Sequence, residues 1–385
     1  MIAPTTPVIE GACPQCATPV AADEQFCESC GAALTDSATA SDPASRPGAS
    51  AEPAQPAESA PGLGSTRTRL TIPAPSEPEP ELAAVGVRHC ASCAAVIDPD
   101  GYCTVCGAKA AAERDHFRET PSAWTGGVCD RGIRHYRNED AMASVANSAP
   151  GSFAALVVCD GVSNSVDSDR ASLNAARAAR DVLSAAHATR PEESDAVAFW
   201  TEQIGLAADA AQAEARAVAT DAETVNPPSC TFVTAVLDGA TIVAGCVGDS
   251  RAYWLPDDGP AAQLTADDSW ASEQIRAGMP RAVAEADSRA HAITRWLGID
   301  SPDSKAACVA TTATEPGWLL VCSDGLWNYC SEATELRALI HRLAQSHESP
   351  VAICAALVDF ANAAGGSDNI TSVLARVEGA PTPAR

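Results

Sequence analysis

Aspartates that directly follow short apolar runs are the feature of this sequence most able to do chemistry. Segments 157–161, 246–250, 321–325 and 366–369 contain Asp160, Asp249, Asp324 and Asp368, respectively. A fifth acidic site, Glu139-Asp140, follows Asn138. A single Asp-Gly pair is typical of a turn. Five acidic sites that meet at one edge of a sheet would repel one another unless they held cations.

Carboxylate oxygens, together with water, are the ligands that Mg²⁺ and Mn²⁺ prefer. Two such ions about 4 Å apart can bind a phosphoryl oxygen, lower the pKa of a water molecule between them and stabilise in-line attack. The acidic sites therefore predict hydrolysis of a phosphate ester. The sequence has no GxxxxGK[ST] and no GxGxxG segment, so no motif in it indicates nucleotide binding.

Cysteines near the N-terminus form a second set of candidate ligands. Eight of the sixteen cysteines fall into two CxxC…CxxC modules, which are Cys13, Cys16, Cys27 and Cys30, and then Cys90, Cys93, Cys103 and Cys106. Four thiolates bind Zn²⁺ tetrahedrally and leave no open position, so two structural zinc sites are predicted. Disulfides, redox-active CxxC pairs and iron–sulfur ligation are the alternatives. Both segments resemble short bacterial zinc ribbons.

The distribution of cysteine and proline predicts the domain organisation. A zinc ribbon at 11–34 is followed by a linker at 35–86, where nine prolines occur from Pro43 to Pro80 with almost no large apolar residues. Such a segment buries too little apolar surface to fold alone, which predicts flexibility. A second ribbon at 87–110 and a globular domain at 120–378 complete the chain. The eight cysteines after residue 107 lie mostly in apolar runs and are predicted to be buried.

The elements that must position the acidic residues are short apolar strands and alanine-rich helices. Strands are predicted at 154–159, 231–237, 241–247, 251–255, 318–323 and 371–377. Helices are predicted at 169–186, 195–219, 331–345 and 350–363. Several strands in a row followed by helices indicate an α+β domain rather than a βαβ alternation.

Length and charge narrow the class of protein. At 385 residues, the chain has room for one domain of about 250 residues and an extension. Its formal charge of −25 would repel nucleic acid and an anionic membrane, so no nucleic-acid partner is expected. No apolar run reaches the ~20 residues of a spanning helix. Residues 1–10 lack the charge and apolar run of a signal peptide, so a cytoplasmic location is expected.

The order of the motifs resembles the metal-dependent type 2C family of serine/threonine protein phosphatases, over about 124–378. The motifs are DRGIRHYRNEDA, VVCDGVSNS, SCTFVTAVL, AGCVGDSRAYWL, QLTADDSWASEQIRAG, ITRWLG, LLVCSDGLW and GGSDNIT, with Ala171-Ser172 after the second. The resemblance implies a four-layer α/β/β/α sandwich, in which two antiparallel sheets pack face to face between helices. It also implies a metal cleft at one end of that sandwich.

Roles carried over from the family fall on the acidic sites. Asp160 would bridge two Mg²⁺ or Mn²⁺ ions beside the Gly161 carbonyl, and Asp324 and Asp368 would complete the second ion's ligands. Further ligands are implied at Glu139 and Asp140, largely through water, and at Asp249, which with Asp324 would hold a third ion. Asn369 would donate hydrogen bonds behind Asp368. The resemblance implies attack by a metal-bridging hydroxide, without a phosphoenzyme.

Three positions depart from the family pattern. His135 occupies the position of the phosphate-binding arginine, and Arg137 or Arg134 is predicted to replace it. Ser163-Asn164-Ser165 replaces a Gly-Gly-His segment, and Val162 stands where some members have a histidine, so the general acid is open. His291 lies near the end of a segment, 269–296, that matches the family's mobile flap, close to a position that contacts the third metal in some relatives; a surface histidine is the alternative there.

Two functions from different classes follow. The first is a Mg²⁺- or Mn²⁺-dependent protein phosphatase, acting on phosphoserine and phosphothreonine in substrates of serine/threonine kinases. The second is a catalytically weak phosphatase-like domain that binds phosphoproteins, while the zinc ribbons recruit a partner that the sequence does not name. A nucleic-acid-binding role of the ribbons is the weakest alternative, because no basic stripe accompanies them.

Overall fold

The computed structural model describes residues 9–12, 19–21, 95–98, 100–107, 110, 112–219 and 224–378. Six of the eight CxxC cysteines and the linker predicted at 35–86 lie outside the described residues; Cys103 and Cys106 lie inside them. The chain divides into two compact units, Met1–Glu81 and Leu82–Arg385. In the first unit, strands β1 (Ile9–Ala12) and β2 (Pro19–Ala21) pair in antiparallel fashion.

The second unit contains most of the described strands. Those from residue 116 onward are β3 (His116–Ser122), β4 (Thr125–Asp130), β5 (Ala141–Ala146), β6 (Phe153–Cys159), β7 (Ser229–Cys230), β8 (Phe232–Asp238), β9 (Thr241–Val247), β10 (Arg251–Pro256), β11 (Ala262–Gln263), β12 (Leu297–Gly298), β13 (Ala307–Thr312), β14 (Gly317–Cys322) and β15 (Ile370–Val377). The described helices are α1 (Ser168–Thr189), α2 (Ala196–Ala217), α3 (Trp270–Arg276), α4 (Arg281–Ala284), α5 (Asp324–Trp327), α6 (Ala333–Ala344) and α7 (Pro350–Ala364). A short 3-10 turn, Glu113–Asp115, precedes β3.

Two antiparallel sheets form the centre of this unit. One has the strand order β11-β10-β14-β15-β4-β3 and the other β13-β9-β8-β6-β5. Apolar side chains of both sheets meet in one buried cluster, which includes Leu156 from β6 and Val321 from β14. The sheets therefore pack face to face around a common core.

Helices cover the outer face of each sheet. α1 and α2 pack on the five-stranded sheet through a cluster that includes Leu183 and Trp200. α6 and α7 cover the six-stranded sheet through residues such as Leu336 and Leu357. The predicted four-layer α/β/β/α sandwich is confirmed. Among the described helices, none is both long and apolar enough to cross a membrane.

The predicted elements agree closely with the structure where apolar residues dominate. All six predicted strands are present, with ends within one residue of the predicted ends, and all four predicted helices have ends within three residues. Four strands of six or seven residues were missed, namely β3, β4, β5 and β13. Of the eight cysteines after residue 107, seven are buried and Cys308 is half-buried. These eight thiols form no disulfide, which confirms their interpretation as packing residues.

Candidate active site

The acidic residues lie where strands of both sheets end. Asp160 directly follows β6, Asp249 follows β9 by one residue, Asp324 begins α5 just after β14, and Asp368 lies shortly before β15. Glu139 and Asp140 directly precede β5 and are buried. The fold therefore places carboxyl groups that are far apart in sequence at the strand ends of both sheets.

The pKa values of these carboxyl groups reflect their mutual proximity. Burial raises the pKa of Asp160 well above its ordinary value, and the charges of Asp140, Asp324, Asp368 and Asp249 raise it further. The pKa of Asp324 is likewise raised, mainly by burial and secondarily by the charges of neighbouring carboxylates. The pKa of Asp140 rises to about 6, again chiefly through burial. Since like charges penalise ionisation of every member, this cluster favours cations among its carboxylates.

Two buried oxygens of the cluster are available to a cation. Ser323 and Thr371 donate hydrogen bonds to Asp140 Oδ2 at 2.7 and 2.6 Å, whereas Asp140 Oδ1 has no hydrogen-bond partner. Asp324 Oδ1 is also buried without a partner. Within the described ranges, no three His, Cys, Asp or Glu side chains are gathered closely enough to form a finished metal site. The unpartnered oxygens and the all-oxygen ligand set nevertheless fit Mg²⁺ or Mn²⁺.

Hydrogen bonds fix the backbone around Glu139. Asn369 Oδ1 accepts a hydrogen bond from the Glu139 amide at 2.7 Å, and Ser172 Oγ donates one to the Glu139 carbonyl at 2.5 Å. The side-chain Nδ2 of Asn369 donates to the carbonyls of Arg131 and Arg137 at 2.7 and 3.1 Å. Asn369 thus ties the loop before β15 to the Glu139 segment.

The backbone of Asp160 and Gly161 is fixed from the opposite side. The Asp160 amide donates to Thr231 Oγ1 at 3.0 Å, and the Thr231 amide donates to the Asp160 carbonyl at 2.7 Å. A Cβ atom at Gly161 would lie 2.7 Å from the Glu139 carbonyl oxygen. Only glycine therefore permits this close approach between the Asp160 loop and the Glu139 segment.

His135 occupies the position of the family's phosphate-binding arginine, and it and the two nearby arginines differ from one another in their contacts. His135 Nε2 lies 3.3 Å from Asp368 Oδ1, so this histidine faces the acidic cluster. Arg137 Nε donates to Glu139 Oε1 at 3.0 Å, and its Nη2 donates to the Ser165 carbonyl at 3.2 Å. Arg134 is exposed. Arg137 therefore lies against the acidic cluster but is held by Glu139, while Arg134 remains at the surface.

A cavity of about 570 Å³ lies next to Asp249, beneath the predicted flap. Its lining includes Arg251, Trp327 and, from the flap, Arg281 and His291. The flap contains α3 and α4, and a β-bridge between Ser269 and Ile293 joins its two ends. The ring centroids of His291 and Trp327 are 5.9 Å apart. His291 thus lines the cavity but is also exposed to solvent, in keeping with the alternative of a surface histidine.

The described part of the second ribbon shows a geometry typical of metal-binding cysteine turns. The backbone amides of Val105 and Cys106 both donate to Cys103 Sγ at 3.5 Å. Such N–H···S contacts stabilise a thiolate and orient it toward a metal. Ile97 pairs with Cys103, and both residues are buried.

Several residues that position the carboxylates were not singled out from the sequence. Their side chains bind backbone or carboxylate oxygens of the Glu139-Asp140 segment, and they are Arg114, Ser168, Ser172, Ser323 and Thr371. Serine and threonine are common in loops and strands, so their identity carried no signal. Ser172 lies within a recognised motif, but its bond to the Glu139 carbonyl depends on where α1 packs.

Comparison with known families identifies the class of protein. Residues 132–361, more than half of the chain, match the family model described as protein phosphatase 2C. Residues 13–107 match the double zinc ribbon model. The chain belongs to the protein phosphatase 2C family and carries a double zinc ribbon segment before the phosphatase-like region. The family resemblance predicted from the motifs is confirmed.

Individual relatives agree with this assignment. Serine/threonine phosphatase stp of Listeria innocua is 33% identical over 151 residues, which cover 39% of this chain and 57% of that protein. Protein phosphatase PhpP of Streptococcus pneumoniae is 36% identical over 147 residues, which cover 37% of this chain and 55% of that protein. The chain thus spans just over half of the length of the curated relatives that it matches.

Solved structures agree with the fold. The serine/threonine phosphatase of S. agalactiae aligns with a TM-score of 0.53 and 20% identity, over 68% of this chain and 100% of that one. The serine/threonine phosphatase of Staphylococcus aureus aligns with a TM-score of 0.52 and 22% identity, over 66% and 95% of the two chains. The two-sheet sandwich is therefore the fold of these phosphatases.

Proposed function

We propose that the chain is a Mg²⁺- or Mn²⁺-dependent protein serine/threonine phosphatase that hydrolyses phosphoserine and phosphothreonine. The observation that carries the proposal is a buried cluster of carboxyl groups that raise each other's pKa, on a protein phosphatase 2C fold. The alternative of a catalytically weak phosphoprotein-binding domain is less well supported, because the sequence keeps every predicted acidic ligand and the charges of Asp140, Asp249, Asp324 and Asp368 all act on Asp160.

In this proposal, Asp160, the Gly161 carbonyl, Asp324 and Asp368 hold two cations, and Asp249 with Asp324 holds a third. Glu139 and Asp140 contribute through water. When bound, the cations would neutralise the phosphate charge and lower the pKa of a water molecule. The chain's own contribution is to keep the carboxylates apart at fixed positions, through the hydrogen bonds to Asp140, Asp160 and Glu139.

Arg137, or Arg134 in its place, is proposed to bind the substrate phosphate. Arg137 is the better supported of the two, because its guanidinium lies beside Glu139 and 29% of its side chain is exposed. A phosphate that entered the acidic cleft would compete with Glu139 for this guanidinium, which offers planar paired donors. His135 Nε2 lies 3.3 Å from Asp368 Oδ1 within the same cleft.

The zinc ribbons are proposed to hold two structural Zn²⁺ ions, one per set of four cysteines, at 11–34 and 87–110. The amides aimed at Cys103 Sγ and the double zinc ribbon match support this proposal. A cytoplasmic location is also proposed, because the eight thiols after residue 107 form no disulfide. The expected partners are phosphorylated proteins, together with a ribbon partner of unknown identity.

A peptide assay tests the enzymatic proposal. The full chain would be incubated with a phosphothreonine peptide and Mn²⁺, with and without EDTA, beside Asp324→Ala. We expect phosphate release that EDTA abolishes and that Asp324→Ala lowers at least about 100-fold, since losing even an indirect metal contact costs about 10–100-fold. Absence of metal-dependent release by the wild type would overturn the proposal. Zinc content measured by mass spectrometry, expected at two per chain, tests the ribbon sites separately.

A further inference from the structure

Arg114 lies outside every motif that identifies the family, yet its side chain reaches the acidic centre. It belongs to the 3-10 turn Glu113–Asp115, eight residues after Cys106 in the sequence. It precedes both the predicted domain start at residue 120 and the matched segment 132–361. Neither the motifs nor the family match therefore gives it a role.

The guanidinium of Arg114 binds the backbone on both sides of Glu139. Its Nε donates to the Asn138 carbonyl at 3.0 Å, and its Nη2 donates to the Asp140 carbonyl and to Ser172 Oγ, each at 3.1 Å. In return, Asn138 Nδ2 donates to the Arg114 carbonyl at 2.9 Å. Since Ser172 Oγ binds the Glu139 carbonyl, three successive carbonyls of the acidic segment are held by one connected network.

The turn that carries Arg114 is itself fixed. The Asp115 carboxylate accepts a hydrogen bond from the Ala112 amide at 2.9 Å, and the Arg131 amide donates to the Asp115 carbonyl at 2.8 Å. Arg114 is half-buried in this position. A planar guanidinium can reach two carbonyls at once, whereas the single ammonium of a lysine cannot span them in the same geometry.

We propose that Arg114 is a positioning residue for the acidic centre. It holds the backbone of Asn138, Glu139 and Asp140 so that the two carboxylates face the cations, which is the part of the inference that rests on the proposed function. The working catalytic unit therefore begins before residue 120, in the turn that follows the second ribbon. Arg114 contacts no reacting group and acts only through the segment that it holds.

Calorimetric titration of Mn²⁺ into the EDTA-treated full chain tests this role. Arg114→Ala is expected to weaken Mn²⁺ binding about 10–100-fold, the usual cost of losing a group that orients metal ligands. Arg114→Lys, which keeps the charge and one donor, is expected to fall between this variant and the wild type. The matched control is Arg118→Ala, an exposed arginine on β3, which is expected to bind Mn²⁺ within twofold of wild type.

Hydrogen exchange in the metal-free chain provides a second readout, which does not depend on metal. Amides of 138–141 are expected to exchange at least about tenfold faster in Arg114→Ala than in Arg118→Ala, because local opening follows the loss of local bonds. Exchange and Mn²⁺ affinity that match the control would overturn the proposal, even if the melting temperature fell. If Arg114→Ala does not fold, Arg114→Lys decides by the same two measurements. A wild type that binds no Mn²⁺ would instead refute the proposed function, and the exchange result would still decide the role of Arg114.

Discussion

Asp267 and the acidic cluster around Asp160 are two sets of buried carboxylates in this domain. They differ in the source of the positive charge that neutralises them. Asp267 is paired with Arg251, whose Nε and Nη2 donate to its two oxygens at 2.9 and 2.6 Å. Asp160 has the carboxyl groups of Asp140, Asp324, Asp368 and Asp249 as its electrostatic neighbours instead. A buried ion pair formed within the chain is complete by itself, whereas a cluster of like charges needs cations from solution. The contrast separates a structural site from a functional one.

Asp249 is affected by the charges of both groups, since Asp267, Arg251 and Asp368 all act on its carboxyl group. Burial and then the charge of Asp267 raise the pKa of Asp249 to about 7. Arg251 is already engaged by Asp267, and its guanidinium carbon lies 3.6 Å from the centroid of the Trp327 ring. Asp249 therefore behaves as a member of the acidic cluster although an arginine is nearby.

Asp160→Asn is expected to have the largest effect on activity. Loss of the central carboxylate should lower phosphopeptide hydrolysis on the order of 10³-fold, because the metal ions supply most of the charge stabilisation. The same substitution should raise the free energy of unfolding of the metal-free chain at pH 7, since it removes a carboxyl group whose ionisation is penalised by burial and by its acidic neighbours. Steady-state kinetics and urea unfolding in EDTA measure the two effects. Loss of both activity and stability would contradict the contrast with Asp267.

Arg251→Met is expected to have the largest effect on stability. It leaves Asp267 buried without its partner, which should lower the free energy of unfolding by about 3–5 kcal/mol. The double variant Arg251→Met/Asp267→Leu should recover most of this loss, because no unpaired charge remains. Urea unfolding of the single and double variants checks the expectation. A double variant as unstable as the single one would show that the arginine stabilises by packing on Trp327 instead.

The pH dependence of stability should distinguish the cluster from ordinary surface carboxylates. The pKa values of Asp140 and Asp249, about 6 and about 7, exceed their ordinary value of 3.8 in the folded state. The folded state therefore binds more protons between pH 4 and 7, and the free energy of unfolding of the metal-free chain falls as pH rises through this window. We expect a loss of at least about 1 kcal/mol from pH 5 to 7.5, since one pKa unit corresponds to 1.36 kcal/mol.

Thermal and urea unfolding at several pH values measure this slope. Asp249→Asn serves as the control and should flatten the profile, while saturating Mn²⁺ should restore stability at pH 7.5, because the metal displaces protons from its ligands. A metal-free wild type whose stability rises from pH 5 to 7.5, with the same slope in Asp249→Asn, would contradict the unpaired state of the cluster.

The arginines near His135 should give the smallest effects. Arg137→Ala is expected to lower kcat/KM for a phosphopeptide about tenfold, the order of one charge-assisted contact to phosphate. Arg134→Ala should change it less than about twofold, because surface substitutions away from a site rarely matter. A wild-type rate in both variants would remove both arginines from phosphate binding.

The strands that are buried on both faces could be predicted from the sequence, because such burial produces continuous apolar runs. Two strands were missed, namely β3, an edge strand with the polar sequence HFRETPS, and β13, whose residues are mostly exposed. Strand β4 was also missed, where Gly126 and Gly127 are poor strand formers. A Cβ atom at Gly126 would lie 2.7 Å from the Val351 amide, so the glycine is needed for helix α7 to pack closely. That requirement arises from tertiary packing, which local pattern does not contain.

The acidic residues of the candidate site were readable because their chemistry depends on residue type and position after a strand. The role of Arg114 could not be predicted from the sequence, because it binds backbone carbonyls. Every residue has such a carbonyl, so the residue types of its partners give no indication of the contact. The contacts of Arg137 could not be predicted from the sequence either. The sequence identified Arg137 as a candidate, but its pairing with Glu139 depends on the turn before β5.

Mn²⁺ binding to three forms of the full chain tests the central contrast most directly. Isothermal titration would compare the wild type, Asp160→Asn and Asp267→Asn after removal of metal with EDTA. We expect that the wild type binds Mn²⁺, that Asp160→Asn binds it at least about 100-fold more weakly, and that Asp267→Asn binds it less than about tenfold more weakly. Equal binding by Asp160→Asn and the wild type, or equal losses in both variants, would contradict this expectation.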